Sequence, residues 1–219
     1  MITNKNIGPI LKKIEKKMRK NVLPSVSMIA SGSSSPFHVL IATILSLRTK
    51  DAVTLEASIR LFKTADTPES LILLTQKQLE KLIYPVAFYR NKSTHILEIC
   101  RRLIKEYDGI VPKELNELLK FKGVGRKTAN LVQILGYGIP AMCVDTHVHR
   151  ISNRFGYIKT KTPDESELKL RQKLPTRYWL SYNDLLVTFG QNQCKPISPI
   201  CSTCPVTNVC PKVNVSRHR

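Results

Sequence analysis

The sequence predicts an all-α protein, and three observations carry that prediction. Apolar residues recur at helical spacing, as in Ile96, Ile99, Cys100, Leu103 and Ile104 on one face of "NKSTHILEICRRLIKEY". Alternation with period two, the mark of a half-buried strand, is scarce. Helix-start signals precede several periodic runs: Ser35-Pro36, Thr67-Pro68 and Thr162-Pro163 each pair a capping hydroxyl with a proline at the first helical position. At 219 residues and 42% hydrophobic, the chain has material for one large domain or two small ones.

The elements follow in order. "KKIEKKMRK" (12–20) predicts one helix with a solvated basic face; no apolar run or small-residue cleavage site follows it, so it is not a secretory signal. "SGSSSPFHVLIATILSL" predicts a Ser/Gly loop over 31–35 and then an apolar helix capped by Ser35. "TPES" (67–70) and "TPDE" (162–165) start two more helices, the second with Glu165 at the capping-box position relative to Thr162. "ELNELLK" is a short helix leading into a glycine turn. "THVHRISNRFG" predicts a helix after Asp145 that Gly156 ends. "YWLSYNDLLVTFG" predicts a late amphipathic helix running into a group of cysteines. No internal repeat is present.

Charge narrows the function. The 35 basic against 16 acidic side chains give +19, and the pI is about 9.9, which points to a polyanion and first to nucleic acid. No stretch approaches the roughly 20 apolar residues of a membrane span, so a soluble intracellular protein with no membrane partner is expected; it is also expected to be a monomer. Of the six cysteines, Cys100 and Cys143 stand alone in apolar surroundings and predict buried thiols. Cys194, Cys201, Cys204 and Cys210 crowd into one short stretch, which in a reducing compartment predicts a metal site rather than two disulfides.

"ELNELLKFKGVGRKTANLVQILG" predicts helix, tight turn, helix. Gly123 and Gly125 bracket Val124, which should tuck inward and pin the turn. Amides turned outward by the glycines, with the unpaired N–H groups at the start of the next helix, make a phosphate seat that needs no particular side chain. Lys127 sits where that next helix begins. Put there, a lysine either receives an anion or loses its proton and reacts.

These residues resemble a known family. "GVGRKTAN" followed by "VDTHVHRISNRFG" is similar to the helix–hairpin–helix of the DNA glycosylases, and most similar to endonuclease III, the bifunctional pyrimidine-damage glycosylase and abasic-site lyase. The resemblance runs from about residue 36 to the last cysteine. One departure lies inside it: Lys122 stands where the family usually has proline, which leaves the turn possible and could add a phosphate contact. The resemblance implies that Lys127 attacks the deoxyribose C1′, expels the damaged base and forms a Schiff base, after which β-elimination breaks the strand. The helix terminus and desolvation in a cleft are both expected to lower the pKa of Lys127 and so favour the reactive amine. Asp145 would be read from position alone as a helix N-cap; the resemblance makes it the family's essential aspartate, stabilising positive charge on the sugar and helping to deprotonate Lys127. Of His147 and His149, one would hold a phosphate or the aspartate and the other would simply be exposed, with His147 the expected DNA contact. Arg126 belongs with Lys122, Gly123, Val124 and Gly125 in the expected DNA contact.

The cysteine spacing, C-x6-C-x2-C-x5-C, has only one close pair, Cys201 and Cys204, where structural zinc sites usually have two, and it fits no ferredoxin pattern. It does match endonuclease III, which implies a [4Fe–4S] cluster of structural role, with Lys195 in the loop between the first two ligands as a candidate phosphate contact. "LSLRTKD" (45–51) and "YPVAFYRNK" (84–92) resemble the family's two wedge loops, which fill the gap left when a base is flipped out. Arg48 stands where the family usually has glutamine, Phe88 is the apolar wedge, and Ala87 replaces a glycine; the departures bear on which opposite base is preferred. The implied architecture is a six-helix barrel over residues 33–139 carrying Lys127, a lobe of residues 1–32 and 140–219 carrying Asp145 and the cluster, and an active site in the cleft between. An adenine-specific mismatch glycosylase of the same fold has no lysine at the hairpin position, so Lys127 argues against it. A non-catalytic DNA-binding module or redox sensor would leave Lys127 and Asp145 without a purpose. The expected partner is double-stranded DNA with damaged pyrimidines or abasic sites, in the nucleoid of a bacterial or archaeal cell or the nucleus or mitochondrion of a eukaryote.

Overall fold

The structure, a computed structural model, describes residues 2–33 and 35–219. Among them it contains no strand. The helices are α1 (Ile7–Met18), α2 (Ser25–Ser33), α3 (Pro36–Ser46), α4 (Asp51–Thr64), α5 (Pro68–Ile72), α6 (Gln76–Ile83), α7 (Tyr89–Tyr107), α8 (Leu115–Leu118), α9 (Arg126–Leu131), α10 (Thr146–Arg154), α11 (Pro163–Lys173) and α12 (Trp179–Asn192). A π-helical stretch, Val132–Gly136, continues α9. Among the described residues no helix is long and apolar enough to cross a membrane.

The chain divides into two compact units, Pro24–Ala141 and Met1–Leu23 with Met142–Arg219. In the first, α3 is the centre. Its residues from Val39 to Leu45 are all buried, so it is apolar all round and must be covered on every side. Helices α2, α4, α7, α9 and the π segment supply that cover. In the second unit α1 turns Ile7, Ile10, Leu11, Ile14 and Met18 inward and leaves Lys12, Lys13, Lys16 and Lys17 in solvent. That face packs with Val148, Ile151, Phe155, Leu186 and Phe189, each such burial contributing about 1.5–3 kcal/mol relative to exposure.

Local signals account for most boundaries. Ser35 accepts from His38 N to cap α3, and Thr67 forms a full capping box with Ser70. Three readings change. Residues 31–33 of the expected Ser/Gly loop are the last turn of α2, because Ser31 and Ser33 bond their hydroxyls back to the carbonyls of Ser27 and Ile29 and so satisfy themselves within the helix; Ser34 lies outside the described residues. Helix α2 packs on α3 and α4, so the first unit begins at Pro24, where residue 33 was expected. Thr162 caps α11 through Glu165 N, but the Glu165 carboxylate closes onto Lys161 N, one residue before the expected capping-box donor.

Candidate active site

The glycine turn is pinned from beneath. Phe121 and Val124 are buried, and Val124 N donates to Phe121 O at 3.1 Å. The Arg102 guanidinium lies over the Phe121 ring and donates to Lys120 O at 2.7 Å, clamping the approach to the turn onto α7. Gly123 has φ +82°, and a Cβ there would come within 2.8 Å of His95 Nδ1, so glycine is required twice over. Gly125 differs: its φ is −97°, and an added Cβ would meet nothing within 4 Å. Nothing inside the chain demands glycine at 125. Arg126 and Lys127 open α9, both half-buried, while Thr128, Ala129 and Asn130 behind them are buried. Lys122 is exposed, with Glu98 at 3.9 Å in a loose surface pair.

Asp145 is the N-cap of α10. Its Oδ1 accepts from both His147 N at 2.9 Å and Val148 N at 2.8 Å. Capping uses one carboxylate oxygen, and Oδ2 takes neither bond. His147 Nδ1 meets Arg150 at 3.1 Å, and Arg150 donates onward to the carbonyls of Gly190 and Cys194. A continuous polar chain therefore runs from the Asp145 cap to the backbone of Cys194. Gly190 is needed there, since a Cβ would fall within 2.3 Å of His147 Nδ1. His149 is occupied elsewhere, with its Nδ1 2.6 Å from Ser166 Oγ.

The four clustered cysteines, Cys194, Cys201, Cys204 and Cys210, line one cavity, with Arg154, Phe189 and Ile200 among its walls. Arg154 is only 8% exposed and donates to Cys194 Sγ at 3.4 Å, to Lys195 O at 2.7 Å and to Pro196 O. Burial pushes the Cys204 thiol up to about 11 and raises Cys201 and Cys210, and charge on the neighbouring cysteines adds to all three shifts. Deprotonated together, these four groups would need a cation to hold them. No trio of His, Cys, Asp or Glu among the described residues is drawn together tightly enough to hold a metal ion. Lys195 is exposed. Cys100 and Cys143 are buried as expected, and burial pushes Cys100 up to about 12.

Arg48 and Phe88 meet. Both have left-handed backbone, φ +56° and +57°, which costs a side-chain-bearing residue energy unless its surroundings impose it. Both are exposed, Phe88 at 59%, and the Arg48 guanidinium lies 5.8 Å from the centre of the Phe88 ring. Phe88 is thus not a core aromatic.

The model of the HhH-GPD superfamily base excision DNA repair proteins matches residues 41–176. Endonuclease III of Thermotoga maritima is 48% identical over 177 residues, covering 81% of this chain and 83% of that protein. The chain belongs to the endonuclease III family. It is a base-excision repair enzyme. Endonuclease III of Bacillus subtilis is 37% identical over 178 residues, 81% of each chain. Two solved structures, a non-covalent endonuclease III–DNA complex (TM-score 0.85, 35% identity) and a trapped covalent endonuclease III–DNA intermediate (TM-score 0.83, 34% identity), each cover 97% of both chains.

Arg150, Arg154 and Lys92 carry no local sequence signal of their roles. The two arginines stand four apart on α10, a spacing that puts them on one face, but nothing local says that the face meets the cysteine loop.

Proposed function

We propose that this endonuclease III family member excises oxidised pyrimidines from duplex DNA and then cleaves the abasic strand, with Lys127 as nucleophile and Asp145 as the partnering carboxylate. The observation that carries the reading is the position of Lys127: second residue of α9, half-buried, directly after a turn whose Gly125 backbone is open to a close approach. The neutral amine forms a bond to C1′ as the bond from C1′ to the base breaks and the base leaves with the electron pair. Sugar-ring opening gives an iminium, which acidifies C2′–H; loss of that proton expels the 3′ phosphate and breaks the strand. Asp145 Oδ2, outside the cap bonds, stabilises positive charge on the sugar and accepts the lysine proton, while Oδ1 keeps the carboxylate fixed.

The amides from Gly123 to Lys127 seat a phosphate, with Lys122 and Arg126 adding charge. Arg48 and Phe88 fill the gap left by the extruded nucleotide. A DNA contact from His147 would use Nε2, because Nδ1 faces Arg150. Cys194, Cys201, Cys204 and Cys210 would hold a [4Fe–4S] cluster; their all-thiolate donor set and shared cavity suit such a group, which when bound ties together a segment without helices. Lys195 would approach a phosphate from that segment. The enzyme would act as a monomer wherever its host keeps duplex DNA, in a nucleoid, nucleus or mitochondrion. The test is reductive trapping: borohydride added during turnover on an oxidised-pyrimidine duplex should join enzyme to DNA through Lys127. A covalent product mapped to another amine would overturn the assignment.

A further inference from the structure

Lys92 is an unusual lysine. It lies in the first turn of α7, is 6% exposed, and has no carboxylate partner among its hydrogen bonds. Its ammonium donates to Leu45 O at 2.8 Å, Leu47 O at 2.7 Å and Thr49 Oγ1 at 3.2 Å, one acceptor for each of its N–H groups. The two carbonyls lie at the C-terminal end of α3, where helix carbonyls lack internal partners and a cation is favoured. Thr49 Oγ1 also accepts from Ala87 N at 3.2 Å, and Lys92 N donates to Phe88 O at 3.0 Å. The lysine therefore holds both sides of a junction: on one side the turn containing Arg48, on the other the turn containing Phe88. Each of those residues has left-handed backbone that its own sequence does not favour.

We propose that Lys92 is a positioning residue for base extrusion, locking the loop at 47–49 to the loop at 84–88 so that Arg48 and Phe88 enter the DNA as one preassembled wedge. The proposal rests on the reading of Arg48 and Phe88 as the groups that fill the gap. A side chain tethered in advance loses less freedom on insertion than one on a mobile loop, and small misplacements are costly in the step that depends on it.

Two variants test this, each assayed on a duplex with a base-paired oxidised pyrimidine and on one with a ready-made abasic site. Lys92→Met keeps the length and removes all three donors. Thr49→Val keeps the shape and removes the hydroxyl that accepts from Ala87 N and Lys92 Nζ and donates to Leu47 O, while leaving Lys92 its two carbonyl acceptors, so it decides the matter if Lys92→Met does not fold. Both should lower excision of the paired lesion, roughly 10- to 100-fold for Lys92→Met, with a far smaller loss on the abasic site. The preference should vanish in an Arg48→Ala/Phe88→Ala background, where the clamp has nothing left to position. Equal losses on both substrates, an unchanged ratio in folded protein, or a full effect persisting in that background would each overturn the proposal. If Arg48→Ala/Phe88→Ala alone leaves the ratio unchanged, the wedge reading itself fails and the clamp falls with it; if it changes the ratio while Lys92→Met and Thr49→Val do not, only the clamp fails.

Discussion

The hairpin at 118–131 and the cysteine segment at 193–219 are held by opposite means. The hairpin is fixed from below by apolar burial: Leu118, Phe121, Val124, Ala129 and Leu131 all point inward, and two short helices follow from them. The cysteine segment has no helix after Asn192, and few of its side chains reach a core. Hydrogen bonds hold it instead: Arg154 to Cys194, Lys195 and Pro196, Gln193 to Ile200 and Thr203, and Ser202 N to the carbonyl of Arg219. A region anchored by hydrophobic contacts can spare its polar side chains for chemistry. One anchored by polar groups and thiols uses them up in keeping its shape. The contrast implies that substituting polar side chains of the hairpin costs activity and substituting those of the cysteine segment costs folding.

The largest expected effect is at Lys127. Lys127→Gln should abolish borohydride trapping and strand cleavage while leaving melting temperature and DNA affinity near wild type, since one charge out of a net +19 does little to non-specific attraction. Peptide mapping of the trapped wild type should exclude Lys92, whose amine burial pulls down to about 8 but whose donors are all directed at backbone and hydroxyl oxygens. Asp145→Asn should slow base excision far more than cleavage at a ready-made abasic site, with little loss of stability, because asparagine still caps a helix. A melting temperature well below wild type in Lys127→Gln would break the contrast.

Next in size is the cysteine segment. Purified protein should be brown and hold about four irons per chain, the content of one such cluster. Stoichiometric zinc without iron would refute the cluster. Cys201→Ala should lower yield and melting temperature and lose iron, whereas Cys100→Ala should keep the iron unchanged. A Cys201→Ala protein as stable as wild type would mean that the hydrogen bonds suffice without metal.

Phe88→Ala should weaken excision of base-paired lesions more than cleavage of abasic sites, measured as a ratio of single-turnover rates. Equal loss on both would point to an unstable protein, and the exposure of the ring argues against that outcome.

The smallest effects sharpen the comparison inside the hairpin itself. Gly123→Ala should destabilise by roughly 1–2 kcal/mol, the cost of a left-handed residue carrying a Cβ, before the His95 contact is added. Gly125→Ala should leave stability unchanged or slightly higher and instead weaken DNA binding a few-fold, if its open face is where a phosphate approaches. Denaturation and binding isotherms of the pair separate the two roles; Gly125→Ala binding DNA as wild type would remove the phosphate seat from that position.

The sequence alone determined the helical class, the caps at Ser35, Thr67 and Asp145, the inward Val124, the buried lone cysteines and the grouping of the other four. All of these follow from short-range rules, because a cap, a turn or an apolar stripe is decided within about four residues of itself. The tertiary structure decided what no local rule reaches. It put Arg48 beside Phe88, forty residues away in the chain. It gave Lys92 its three acceptors and brought Arg150 and Arg154 to the cysteine loop. It also moved the first unit's boundary to Pro24, since only packing shows that α2 belongs with α3 and α4. Buried charges depend on partners distant in sequence, and a buried lysine looks in sequence the same as the many exposed ones. That is why the residues holding this site in place were harder to see than those proposed to do its chemistry.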